Sequence, residues 1–569
     1  MIEQIKIILK NMLEKVFLME FSTAVNVIIE APKRKEQGDL SIPVFTIAKA
    51  INQPLPETSN IIMNTIQSSQ YASLFSQLIL MGGFFNIRLN SNEVVKKVVS
   101  DYMLTQNQYG SSTIGNNKVV CIDYSSPNIA KPFSIGHLRS TIIGHAIGNI
   151  LEKCGYQVVR INHLGDFGTQ FGKIIYAYQH FGNESLIQKD PINELVKLYV
   201  EFHELAKTNP DMDDEARRIF KELEQGNEEY NKLWQWFRKV SLEDYMEVYK
   251  LLNVQFDSYN GEAFYNDKMQ PVIDELKQKD LLKEDDGAMI VDLGENMPPA
   301  LIQKSDGSTL YITRDLAALF YRKYTYHFDK CLYVVGNEQK LHFEQIKSVI
   351  RKMGYNFDNQ IEHINFGLVL QDGKKMSTRK GKVVKLVDVL NEAIKLSLAY
   401  IVEKNPDLED KDIVAEKIGV SAVIFNDLKN YRANDFEFNL EEMVRFEGQT
   451  GPYLQYTSVR IGSILNSEPF VFDGIIDETI LTRESEFEMI KLISQYQMTI
   501  EKAAEESSPS ILAKYLLSLA SLFNSYYGKE KINVEDTLEK NTKKHLLTMV
   551  KTILDSGMSL LGMQIIEKM

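Results

Sequence analysis

The chain has 569 residues, with 64 basic and 77 acidic side chains and a formal net charge of −13. Apolar residues make up 44% and charged residues 25%, ordinary globular proportions that exclude wholesale disorder and collagen-like architectures, and the length predicts about three or four domains. Net acidity disfavours polyanion binding over the whole surface but is compatible with a local basic groove.

The opening segment places Ile2, Ile5, Ile8, Leu9, Met12, Leu13 and Val16 at helical spacing with Glu and Lys between them. That pattern predicts an amphipathic helix rather than a secretory apolar segment. Residues 1–105 read as a small α+β domain. After the helix come the basic loop Lys33-Arg34-Lys35, a helix over Val44–Ile51, and a strand over Phe84–Leu89 that follows Gly82-Gly83. The polar stretch 106–117 reads as a linker.

Beyond it, Val119–Tyr124 is rich in β-formers, a loop with Pro127 and Pro132 follows, Leu138–Cys154 is helical up to Gly155, and Val158–Ile161 is again β-rich. Strand, helix, strand predicts a parallel βαβ unit. The order recurs in Cys331–Val335, Phe343–Met353 and Ile364–Leu370. The two halves predict a doubly wound, Rossmann-like α/β domain over 115–385, with residues 174–250 as a helical, charge-rich insertion. Residues 386–445 are predicted as a helical connecting region and 446–569 as an all-α bundle. The three cysteines, Cys121, Cys154 and Cys331, form no CxxC pair, which argues against a disulfide framework or a cysteine zinc site and for a reducing compartment. No apolar run approaches the roughly 18 residues of a membrane helix.

Two loops carry the candidate chemistry, each at the carboxyl end of a predicted strand, where open α/β sheets bind ligands. The first holds Ser134-Ile135-Gly136-His137 at a helix N-terminus, a place suited to phosphate. Gly136 lets a flat base approach, and His137 can donate to phosphate oxygens. The second, Gly373–Lys382, packs Lys374, Lys375, Arg379, Lys380 and Lys382 into ten residues, enough cationic charge to stabilise a reacting triphosphate.

Ser134–His137 resembles the HIGH motif, and Lys375-Met376-Ser377-Thr378 the KMSKS motif, of class I aminoacyl-tRNA synthetases. The strings DYSSPNIAKPFSIGHLRST from Asp123, NHLGDFGTQFGK from Asn162, SDGSTLYITRDLAA from Ser305, GKKMSTRKG from Gly373 and FEGQTGPYLQYTSVRI from Phe446 are similar to arginyl-tRNA synthetases, and the likeness covers nearly the whole chain. It implies arginine activation by ATP, accompanied by Mg²⁺ as a substrate complex, then transfer to the 3′ end of arginine-specific tRNA. No tightly bound cofactor, protein metal site or membrane is implied, and a cytoplasmic monomer is.

By the same resemblance, Gly136, His137, Lys375, Met376 and Ser377 would meet ATP. Glu262, Tyr311 and Asp315 would meet the guanidinium, a planar cation best matched by carboxylates in a fork. Asn128 and Gln339 would hold the amino and carboxylate end, with Asp123 and Ser125 nearby. Two positions depart from the motifs: Ser134 replaces the first histidine and Thr378 the second lysine. Lys131 stands where a compensating cation is expected. These departures leave a catalytically impaired tRNA-binding paralogue as the alternative. The resemblance further implies that 1–105 touches the D-loop corner of tRNA, with Lys33-Arg34-Lys35 as a candidate contact. Tyr453, Tyr456, Tyr526, Tyr527 and Met569 would lie near the anticodon, where single-stranded bases stack on aromatics.

Overall fold

The computed structural model describes residues 2–304, 311–376, 378–379 and 382–569. They fall into two compact units, one made of Met1–Ser111, Tyr456–Lys502 and Tyr515–Gly557, the other of Ser112–Gln455, Ala503–Lys514 and Met558–Met569.

In the first unit, α1 (Ile2–Phe21) buries Ile2, Ile5, Leu9 and Leu13 of the expected stripe together with Phe17, and leaves Ile8, Met12 and Val16 half-buried. Strand β1 (Leu40–Pro43) leads into α2 (Val44–Ile51) and α3 (Leu55–Gln67). Strands β2 (Phe75–Met81) and β3 (Phe84–Leu89) complete an antiparallel sheet in the order β1-β3-β2, and α4 (Ser91–Thr105) follows. The predicted linker is not free of this unit. Tyr109 stacks on Tyr496, and its hydroxyl donates to the Ile493 carbonyl at 3.1 Å.

In the second unit, β4 (Val119–Asp123), α5 (Leu138–Lys153) and β5 (Gln157–Ile161) form the expected βαβ unit. The insertion is helical: α6 (Thr169–Phe181), α7 (Glu184–Lys189), α8 (Pro191–Ala206), α9 (Asp211–Glu224) and α10 (Glu228–Leu251). Next come α11 (Met269–Gln278), an antiparallel meander of β6 (Leu282–Asp285), β7 (Ala288–Val291) and β8 (Ala300–Gln303), and α12 (Tyr311–Tyr326). The second half follows as β9 (Lys330–Tyr333), α13 (Lys340–Lys352) and β10 (Ile361–His363). The parallel sheet runs β10-β9-β4-β5. Its connections reverse direction between β4 and β9, which opens the crevice where such sheets bind ligands. Leu316, Leu319, Cys331, Ile346 and Ile350 are among the residues that fill the core on one face, and all three cysteines are free and buried.

Of the predicted strand Ile364–Leu370, only Val369 and Leu370 lie in a strand. Strand β10 ends at His363, and the chain leaves the main sheet at Gly367, where a Cβ would collide with Asn434 and Asp435. It then forms β11 (Val369–Gln371), which pairs with β12 (Lys374–Lys375) and, in parallel, with a strand from further on. Strands β13 (Thr378–Arg379) and β14 (Lys382–Val383) pair antiparallel. Helices α14 (Leu386–Lys404) and α15 (Lys411–Leu428) follow, then β15 (Phe436–Glu437), the parallel partner of β11, then α16 (Leu440–Met443) and α17 (Gly451–Asn466).

The chain ends in α18 (Glu478–Leu481), α19 (Glu484–Ile493), α20 (Tyr496–Glu505), α21 (Pro509–Tyr527) and α22 (Thr537–Leu560). Within the first unit these helices pack on the N-terminal segment: Lys491 pairs with Asp39 at 3.0 Å, and the Tyr102 and Thr552 hydroxyls meet at 2.7 Å. Residues 1–105 and much of 446–569, read from sequence as separate domains, thus share one compact unit. None of the helices described is long and apolar enough to cross a membrane.

Candidate active site

Strand β4 delivers Asp123 to the crevice, and the chain then turns through Ser125 (φ 72°) and Ser126 (φ 49°). Left-handed backbone at non-glycine residues is costly and persists only where neighbours fix it. Here Ser125 N–H donates to Ser140 Oγ at 2.9 Å, and Ser140 Oγ donates onward to the Val334 carbonyl at 2.6 Å. The Ser125 hydroxyl is buried among Tyr249 and Thr141, both at 2.8 Å, so its own partners lie inside the protein. Ser126 Oγ donates to Asp123 at 2.9 Å, and Asp123 also pairs with Arg322 at 2.7 Å. Further along, the Tyr245 hydroxyl on α10 sits 2.6 Å from the Asn128 carbonyl and 2.7 Å from that of Lys131.

The first motif forms a 3-10 turn over Ile135–His137. Ser134 caps it, and Ser134 N–H donates to His137 Nδ1 at 3.1 Å. A ring nitrogen that accepts is unprotonated, so His137 carries its proton on Nε2. Burial lowers the His137 pKa, helped by the charge of nearby Lys131, which leaves a neutral donor at neutral pH. The ring stacks on Phe133, with centroids 5.1 Å apart. Space above Gly136 is open: a Cβ there would meet only Ser134 Oγ, at 3.4 Å.

The second motif begins on the β11–β12 hairpin, turned by Asp372 (φ 52°) and Gly373 (φ 70°), a pair suited to such turns. Lys374 and Lys375 are exposed and Met376 is buried. Ser377 lies outside the described residues. The segment after the motif returns to the first loop: Ile135 N–H donates to the Val384 carbonyl at 3.0 Å, and Leu386 N–H to that of Phe133 at 2.9 Å. The two motif loops are therefore joined through their backbones. A cleft of about 590 Å³ beside the hairpin is lined by Asp372, Asp388, Glu392, Glu437 and Glu441, carboxylates that would repel a triphosphate.

Next to the first loop, Glu262 lies near Arg314, Asp315 and Asp166, and Asp315 in turn near His342, His163 and Arg322. Glu262 lies 3.5 Å from Arg314, and burial raises its pKa to about 7 against that attraction. For Asp315, burial acts to raise the pKa, but the 2.6 Å hydrogen bond with His342 and neighbouring positive charge hold it low. Arg322 is buried with Nε and Nη1 unpaired among the described groups. Asn128 reaches over Gly165, where a Cβ would strike its side chain. Asn128, Gln339 and Tyr311 are exposed, Tyr311 at 69%. No group of three or more His, Cys, Asp or Glu suited to a metal ion occurs among the described residues.

Residues 98–440 match the family model for the catalytic domain of class I (R) tRNA synthetases, 3–89 that for the arginyl tRNA synthetase N-terminal domain, and 454–569 that for the DALR anticodon-binding domain. The chain is 49% identical to an arginine–tRNA ligase of Enterococcus faecalis over 95% of each protein, and 48% identical to one of Leuconostoc mesenteroides over the full length of both. The chain belongs to the class I arginyl-tRNA synthetase family. Among solved structures, the Plasmodium falciparum arginyl-tRNA synthetase superposes with a TM-score of 0.83 at 26% identity, over 100% of this chain and 99% of that one. The Thermus thermophilus enzyme shares the fold, with the same score at 22% identity over 99% of each chain.

Within this arginyl-tRNA synthetase family chain, the candidate RNA-facing residues divide. Tyr456 and Tyr527 are 38% and 43% exposed, and Arg460 lies over both rings, 4.6 and 5.3 Å from their centroids. Tyr526 is only 3% exposed, and its hydroxyl donates to Glu486 at 3.2 Å. Its ring faces the core and offers no face to a base, so the expectation for Tyr526 is corrected in favour of Tyr527. Tyr453 is half-buried. The Met569 carbonyl accepts from Asn405 at 3.2 Å.

Sequence reasoning passed over His163, Arg314, Arg322 and His342, which engage the expected pocket carboxylates. Arg314 directly precedes Asp315 and His342 follows Gln339 by three residues, so the spacing around known candidates was the available signal.

Proposed function

We propose that this chain activates L-arginine with ATP and transfers the arginyl group to the 3′-terminal adenosine of arginine-specific tRNA, releasing AMP and pyrophosphate. The observation that carries the reading is the backbone junction of the two motif loops beside the Glu262–Asp315 pocket, in a chain 49% identical to an arginine–tRNA ligase.

Activation needs no general base, because the arginine carboxylate is already ionised and attacks the α-phosphorus directly. The protein's part is positioning and charge stabilisation. We assign the guanidinium to Glu262, Asp315 and Tyr311, and the amino and carboxylate end to Asn128 and Gln339. Adenine is assigned to the open face of Gly136. His137, as a neutral Nε2–H donor, and Lys375 would contact phosphate oxygens, with Met376 and Ser377 in the same loop. Mg²⁺ arrives with ATP. With Ser134 committed to capping His137, Lys131, three residues before the motif, is the candidate compensating cation. Lys131→Ala is expected to slow arginine activation about 10²-fold, the scale of one lost transition-state contact, with a change within twofold deciding against it. We further propose a monomer in the cytoplasm that activates arginine only with tRNA bound.

Pyrophosphate exchange into ATP tests the reading. Exchange with L-arginine plus total tRNA, and none with L-lysine, is expected. Absence of exchange in folded protein that still binds tRNA would favour a non-catalytic tRNA-binding role instead.

A further inference from the structure

Two residues beyond His137, on α5, Arg139 is 1% exposed. Its Nε lies 3.0 Å from Asp427 Oδ2, its Nη2 3.2 Å from Oδ1, and its Nη1 donates to the Asn434 carbonyl at 2.9 Å. The rings of Phe436 and Phe366 flank the guanidinium at 5.0 and 5.9 Å. Asp427, at the end of α15, is also 1% exposed. A buried ion pair is seldom the most stable filling for a core, since apolar groups of similar volume often serve as well or better. What it does impose is direction, because a fork of donors fixes its acceptors in angle as well as distance.

The acceptors here belong to the segment that holds the second motif. Leu368 N–H donates to Asp435 Oδ1 at 2.6 Å. Gly367 N–H donates to the Arg432 carbonyl at 3.0 Å, and Phe436 and Phe438 N–H groups donate to Leu368 and Leu370 at 3.1 and 2.7 Å. A path of direct contacts thus runs from α5 through Arg139 to Asp427 and Asn434, then β15, then β11, then the hairpin bearing Lys375. At the other end of the loop, Val384–Leu386 is paired to Phe133–Ile135. The beginning of α5 and the turn before it therefore fasten the Lys375 loop at both its ends.

We propose that Arg139 and Asp427 are a positioning pair that sets the separation of His137 and Lys375, and so the rate of arginine activation. The proposal rests on the reading that these two side chains meet ATP. Neither Arg139 nor Asp427 is placed in contact with substrate.

The test uses the full chain carrying Arg139→Lys or Asp427→Asn, assayed by arginine-dependent pyrophosphate exchange with total tRNA present and by amide hydrogen exchange. The rate constant is expected to fall tenfold or more while KM for arginine stays within twofold, because the guanidinium pocket lies on other elements. Amide exchange should quicken at 367–371 and 436–438 and remain slow in β4 and β5. The double variant should lose little more than either single one. An unchanged rate constant overturns the proposal. So does faster exchange spread evenly through β4 and β5, or loss of folding in both variants, either of which would mark the pair as core packing alone. Lys375→Ala serves as the control: if it leaves the rate within twofold, the assignment of ATP to this loop fails, while hydrogen exchange still decides whether the pair positions β11.

Discussion

If Glu262 meets the guanidinium as proposed, arginine capture should follow pH. With its pKa raised to about 7 by burial, Glu262 is mostly protonated at pH 6 and mostly ionised at pH 8. A guanidinium binds only the ionised form well, so the pocket must lose a proton below that pKa before it closes on substrate. KM for arginine should therefore fall roughly tenfold from pH 6 to pH 8, with Arg314, Asp315 and Asp166 as the charged neighbours that tune the midpoint. Steady-state kinetics across that range checks this, and Glu262→Gln should flatten the profile. A second contrast separates two adjacent tyrosines. Tyr527→Ala removes an exposed ring, and at about 1–3 kcal/mol per stacked base should weaken tRNA binding roughly tenfold in a filter-binding titration. Tyr526→Phe removes only the hydroxyl that donates to Glu486, and should leave tRNA affinity within twofold while lowering thermal stability.

At the scale of elements, α5 packs against the end of β4 because Gly144 has no side chain. A Cβ there would run into the Tyr124 ring, and Tyr124 is wholly buried. Gly144→Val should cost about 1–3 kcal/mol as overpacking, with little helix propensity regained, and appear as a lower denaturation midpoint. Elements of this kind were legible in the sequence where one face is plainly buried. Val44–Ile51 and Phe84–Leu89 are recovered at their predicted bounds, and the β4–α5–β5 unit follows its turn residues. Strand β2 escaped notice because it is a sheet edge whose exposed positions Ile79 and Met81 are apolar like their half-buried neighbours Leu78 and Leu80, so the run shows no alternation to read. The run 364–370 was legible as extended chain but not as chain that changes sheets, because the cause, Asn434 and Asp435 against Gly367, lies far along the sequence. The site divides similarly. Its loops are contiguous strings, whereas Arg322 and His342 look like ordinary polar helix residues until the sheet brings them beneath the pocket.

At the scale of the whole molecule, the pairing of Asp39 with Lys491 has a bearing on how the protein comes into being. Ser111 closes the first segment of its unit, and the next segment begins only at Tyr456. At roughly 5–20 residues per second, translation separates the two by on the order of tens of seconds. During that interval the face of α4 that will receive α18 and α19 has nothing to cover it. Ribosome-bound chains halted before residue 456 should be cut by protease within residues 1–111, and chains released at full length should resist, with equal resistance at both stages deciding against this order. The part of the protein made first is thus among the last to be completed, and its safe passage depends on whatever shields a half-built surface in the meantime.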